Sequence, residues 1–143
     1  MKMEKALNNR STTSLADKLP PQNLEAERAC LGSMLMDREA IEVAIELLRD
    51  EDFYSLQHKI IYGGMLELYN RSAPVDIVTL NGYLKDTDQL EKSGGVVYVS
   101  SLLDEAPTSA NIEYYAKIIE QKSLLRKLIA AASSIIALSL IHI

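Results

Sequence analysis

Two histidines, one cysteine and twenty carboxylates are the chain's raw material for chemistry, and their arrangement argues against most of it. No His-x-x-x-His or Cys-x-x-Cys spacing occurs, so a transition-metal site would have to rely on carboxylates alone. His58 stands next to Lys59 with apolar residues beyond, which suits a structural or surface residue better than a general base. Cys30 sits among Ala29, Leu31 and Met34, with no neighbouring cation to favour the thiolate, and reads as a small buried hydrophobe. Glu25, Glu27, Asp50, Glu51 and Asp52 fall at expected helix ends, where a carboxylate complements the helix dipole or caps exposed amides. No Gly-Lys pair occurs, so the phosphate cradle of a P-loop is absent from this sequence, and Gly94 and Gly95 suit a turn or helix start. Tyr98, Tyr114 and Tyr115 lie among Asp104, Glu105 and Glu113, a setting for packing or protein contact and not for stacking nucleic-acid bases. Enzymatic activity within this chain is not expected.

The elements around these residues must then carry the function. A length of 143 residues at 48% hydrophobic supports one core. Few prolines and glycines beside many Ala, Leu, Ile, Glu and Lys predict an all-α fold. A net charge of −5 is the wrong sign for holding a phosphate backbone, so direct nucleic-acid binding is not expected. One cysteine cannot bridge within the chain, and the start lacks the apolar run of a signal peptide, so a reducing, cytoplasmic setting fits. Residues 1–18 read as a solvated tail.

Asn23 is placed to cap a first helix carrying Leu24, Leu31, Met34 and Leu35, and Asp37 a second in which Ile41, Ala44, Ile45 and Leu48 form one stripe. Ser55 is a candidate cap for a third, with Ile61, Met65 and Leu68 inward; Gly63 and Gly64 in its middle predict a kink or the close approach of another backbone. Asp76 opens a short helix with Ile77, Leu80 and Leu84 on one face, and the polar run after it reads as a loop. Val96–Val99 have strand propensity, but Val96, Val99, Leu102 and Leu103 share helical spacing and no second strand-like run exists to pair with them, so a helix is expected. Pro107 ends it, and Thr108 or Ser109 caps the next.

From Ala110 nothing interrupts the helical pattern, and Tyr115, Ile118, Leu125, Leu128, Ala132, Ile135 and Ile136 return to one side. Such a helix exceeds what a compact head needs, so part of it must project. From Leu128 to Ile143 it carries no Asp, Glu, Lys or Arg, a surface that needs a partner. A membrane is the competing occupant, but sixteen residues with three serines fall short of the roughly 17 to 25 of a usual span. Packing against another protein helix is preferred.

Read in order, "LPPQNLEAERACLGSMLMD", "EDFYSLQHKIIYGGMLELY", "PVDIVTL" and "GGVVYVSSLLDEAPTSANIEYYAKIIEQKSLLRKLI" resemble the amino-terminal domain of bacterial DnaB-type replicative DNA helicases, over about Leu19 to Ile136. The resemblance implies a helical globular head over 19–107 and a projecting helical hairpin over 108–143, in a collar that builds dimers, trimers of dimers and a hexamer. It also implies docking of primase and, in some bacteria, of a helicase loader during DNA replication, with the ATP-dependent motor, its ATP and its magnesium confined to a separate carboxy-terminal domain. For this chain no cofactor, metal or catalytic residue is expected. By their match to family positions, Glu25, Tyr98, Ile129, Ile135 and Ile136 are the expected primase contacts. Leu125, Leu128, Ala132, Ile135 and Leu138 are the expected self-association residues. Two features depart from the family: Gly63 and Gly64 replace bulkier helix formers, and "ALSLIHI" does not resemble the polar turn before a linker, which suggests a truncated fragment. A stand-alone regulatory module and a nucleic-acid-binding module are the alternative readings.

Overall fold

The computed structural model describes residues 19–106 and 108–142, and among them the regular structure is helical throughout. Six α-helices follow one another: α1 Leu24–Met36, α2 Arg38–Leu47, α3 Leu56–Asn70, α4 Ile77–Asp86, α5 Gly95–Glu105 and α6 Ile112–Ile141. Short 3-10 turns at Asp50–Asp52 and Ser109–Asn111 precede α3 and α6. The tail over 1–18 and the break at Pro107 lie outside the described residues.

The caps follow the expected side chains with one exception. Asn23 Oδ1 accepts from the Ala26 amide at 2.9 Å, and Asp37 Oδ1 from the Glu39 amide at 3.0 Å. Asp76 and Thr79 form a reciprocal pair in which each side chain takes the other's amide, and the Thr79 amide holds the Asp76 carboxyl below its ordinary range. Ser55 stands at the cap position of α3, but its side chain makes no cap hydrogen bond. Gly94 opens α5 with φ +102°, in the left-handed region that glycine enters without penalty.

The core forms where α1 meets α2, α5 and the first half of α6, with α3 and α4 closing the other side. Leu31, Met34, Ile41, Phe53, Ile61, Tyr62, Met65, Leu80, Leu84 and Leu102 are fully buried there. The apolar stripes read from sequence account for most of it, and Val96–Val99 is helical as the periodicity required. Gly32 lets α1 and α5 touch: a Cβ on it would lie 2.2 Å from the Leu102 carbonyl oxygen.

The close approach expected at the glycine pair is made by side chains. Helix α3 runs unbroken from Leu56 to Asn70, and side chains of Leu80, Tyr83 and Leu84, not another backbone, close on Gly64. A Cβ on Gly63 would meet nothing within 4 Å. Gly63→Ala should therefore recover the helix propensity that glycine forfeits, about 1 kcal/mol, and raise the melting temperature by about 4 °C; calorimetry at neutral pH reads it.

The long carboxy-terminal helix differs most from expectation. Where a hairpin was expected, the described residues hold one continuous helix without a reversal, 30 residues from Ile112 to Ile141. Its first half packs against the head as far as Ser123. The face that grips the head is Ile112, Ala116, Ile119 and Ser123. Tyr115 and Ile118 pack at its edge, while Leu125, Leu128, Ala132, Ile135 and Ile136 are exposed. Alanine and a serine carry little hydrophobic signal, which is why the sequence pattern favoured the bulkier neighbours.

Candidate interaction surfaces

Three features stand out: a buried polar line through the head, a polar junction at the root of the arm, and the arm. The line begins at Glu27, whose side chain is 2% exposed although it lies one turn into α1. Its carboxylate accepts from the Tyr54 amide at 2.9 Å, the Ser55 amide at 3.3 Å and His58 Nδ1 at 2.8 Å. A carboxylate only accepts, which assigns a proton to His58 Nδ1. The other ring nitrogen, Nε2, meets the hydroxyl of Tyr98. So Glu27 is not the dipole-complementing surface charge its position suggested: it satisfies the entry to α3 in place of a Ser55 cap and orients His58, which holds Tyr98.

Tyr98 is half-buried, and burial pushes its hydroxyl above the ordinary tyrosine value, with Arg28 pulling the other way. Arg28 pairs with Glu105 across 3.8 Å, and Glu105 borders a shallow depression of about 270 Å³ lined also by Glu25, Ala29, Tyr115 and Ile118. Glu25 lines this depression and Tyr98 does not, although Arg28 and Glu105 both act on the Tyr98 hydroxyl. Cys30 lies beneath with no exposed surface, and burial, reinforced by Glu27, pushes its thiol far above the ordinary value. It is a packing residue, as expected. No group of three or more His, Cys, Asp or Glu with metal-holding geometry occurs among the described residues.

At the junction, Asp52 caps its own turn by accepting from the Arg49 amide at 2.8 Å and also accepts from the Ser123 hydroxyl at 2.7 Å. Arg126 donates to the carbonyls of Pro21 at 2.8 Å and Asp52 at 2.6 Å, and its guanidinium lies 5.6 Å from the Tyr54 ring centre. Lys127 reaches Glu51 at 3.4 Å and Asp52 at 3.6 Å. The acidic turn at 50–52 thus anchors the arm as well as capping.

Past Lys127 every described residue is exposed. Ile129, Ile135 and Ile136 are 42%, 64% and 54% exposed, and Leu125, Leu128 and Leu138 are 43%, 64% and 58%. The expected primase contacts are therefore divided between the head, with Glu25 and Tyr98, and the arm, with the three isoleucines. At 3.6 residues per turn, the head-gripping face continues beyond Ser123 as Ala130, Ser134 and Ala137. Leu125, Leu128, Ala132, Ile135 and Ile136 occupy the opposite side, whereas Leu138 lies nearer the head-gripping face and Ile141 falls on it. Most of the larger apolar side chains before Leu138 are turned away from the head-gripping face. The helix from Ser109 to Ile141 is also long and apolar enough to cross a membrane by length and composition.

Comparison with known proteins gives this architecture a context. The family described as DnaB-like helicase N terminal domain matches residues 19–121. The replicative DNA helicase DnaC of Bacillus subtilis is 49% identical over 124 residues, which are 87% of this chain and 27% of that protein. The chain spans about a quarter of the length of the first of the curated relatives it matches and about an eighth of another. The crystal structure of the N-terminal domain of the DnaB helicase from Mycobacterium tuberculosis superposes with a TM-score of 0.81 at 40% identity, covering 83% of each chain. A structure described as a DnaB-like replicative helicase and its interactions with primase superposes with a TM-score of 0.70 at 28% identity, covering 80% of this chain and 27% of that one.

Proposed function

This chain belongs to the family of DnaB-like helicase N-terminal domains, and from that membership we propose that it is an assembly and docking piece of a replicative helicase. It joins copies of itself into dimers and, through them, into a hexameric collar. It holds primase near the DNA being unwound, and the same collar offers a surface to a helicase loader. Unwinding and ATP hydrolysis, with ATP and magnesium, are the work of a separate motor domain in the cytoplasm.

The observation that carries this reading is the uncharged arm beyond Lys127, whose apolar side chains are exposed and of which Leu128, Ile135 and Ile136 lie opposite the head-gripping face. A second copy can cover that side without meeting the first copy's head. Light scattering coupled to size exclusion tests it: the chain should elute as a dimer or larger at about 50 µM, the concentration range that an association of about −6 kcal/mol reaches. A monomer at that concentration would overturn the assembly reading.

Primase docking is supported by a relative described with its primase interactions. Tyr98→Ala and Ile135→Ala should each weaken capture of primase by about tenfold or more, the 1.4 kcal/mol scale of one well-packed aromatic or aliphatic contact. Surface plasmon resonance reads the affinity and circular dichroism the helicity. Unchanged affinity in both variants would remove these residues from the interface.

A further inference from the structure

The last place at which the long helix touches the head is polar, although the rest of its contact is apolar. Ile112, Ala116 and Ile119 pack into the core, but at the exit point the contacts are those of Ser123, Arg126 and Lys127 with the turn at Asp50–Asp52 and with Pro21. Apolar packing tolerates sliding and tilting because it has little direction. A guanidinium donating to two backbone carbonyls does not, because its donors are fixed in one plane. Pro21 leads into α1, whereas Asp52 leads into α3, so Arg126 ties the helix to two separate parts of the head at once.

We propose that Arg126 is a positioning residue that fixes the direction in which the arm leaves the head. From Arg126 to Ile141 the helix runs about 22 Å at 1.5 Å per residue, so a tilt of about 10° at the root moves its end by about 4 Å. A displacement of that size takes apolar side chains out of register with any partner they meet. This inference deepens the assembly reading by naming what aims the arm, but the direction itself does not depend on a second copy.

The test is a distance measurement between spin labels at Glu91→Cys on the head and Ser139→Cys on the arm, both exposed, with Cys30 too buried to compete. It is made in the full chain carrying Leu128→Glu and Ile135→Glu, so that no other molecule steadies the arm. With Arg126 present, one narrow distance distribution is expected. Arg126→Ala should broaden it by about 4 Å or more, while Lys117→Ala, which removes the same charge from the same helix, leaves it narrow. Arg126→Lys, which keeps the charge but cannot span both carbonyls, should broaden it too. A distribution in Arg126→Ala as narrow as in the parent overturns the proposal, as does a broad one in the parent. Failure of assembly would instead appear as a monomeric chain by light scattering while the label distances still report the clamp.

Discussion

Replacing Leu128 and Ile135 with glutamate is expected to leave the chain monomeric at about 50 µM, where the unaltered chain associates. Both side chains are 64% exposed in the single chain, so the substitutions remove no intramolecular packing and helicity should stay constant. The effect falls on the associated state. Covering about 400 Å² of the arm contributes about 10 kcal/mol, and association itself costs about 4 to 15 kcal/mol. With so small a surplus, bringing unpaired carboxylates into the contact, at about 1 to 3 kcal/mol each even where water relieves part of the cost, lowers affinity by at least about 100-fold. Light scattering across a concentration series checks it, and an oligomer that persists in the double variant would place the contact elsewhere. Lipid vesicles provide the competing occupant: a parent chain that is monomeric alone but floats with vesicles would assign the arm to a membrane.

The division between what could be read from sequence and what could not follows the physics of burial. Stripes of Ile, Leu and Met announced α1 to α4 because one-sided burial imposes a 3.6-residue period, and helix-capping by Asn23, Asp37 and Asp76 is local enough to be legible in three or four residues. The head contact of α6 was missed because its members include Ala116 and Ser123, whose burial depends on shape and on one hydrogen bond to Asp52, about seventy positions away in sequence. The exposed arm was legible as a surface without charge, but its direction was not, since Arg126 acts through backbone carbonyls that leave no residue signature. For Glu27 a signal did exist. Cys30, Leu31 and Met34 follow it at three, four and seven residues, so the carboxylate falls on the apolar stripe of α1. A charge on a buried stripe calls for partners.

Those partners set the second large effect. If Glu27 merely complemented the helix dipole, Glu27→Ala would lower stability by about 0.3 to 1 kcal/mol. In the fold it is the acceptor for two amides and His58 Nδ1, and its removal strands all three in the interior. An unsatisfied buried donor costs about 1 to 3 kcal/mol, so stranding three costs at least about 3 kcal/mol, a drop of about 10 °C or more in melting temperature at this chain length. Glu25→Ala provides the control: it shares the first turn of α1 but is exposed, and should change stability by no more than the dipole's about 1 kcal/mol. A double-mutant cycle sharpens the result, because His58→Leu should be less damaging once Glu27 is gone, by about 0.5 to 3 kcal/mol. Urea titration of the four proteins supplies the numbers. A loss below about 1 kcal/mol for Glu27→Ala would return Glu27 to the dipole role. A loss of the expected size makes the orientation of Tyr98 depend on a carboxylate buried two links away, since His58 receives its direction from Glu27 and gives it to the Tyr98 hydroxyl.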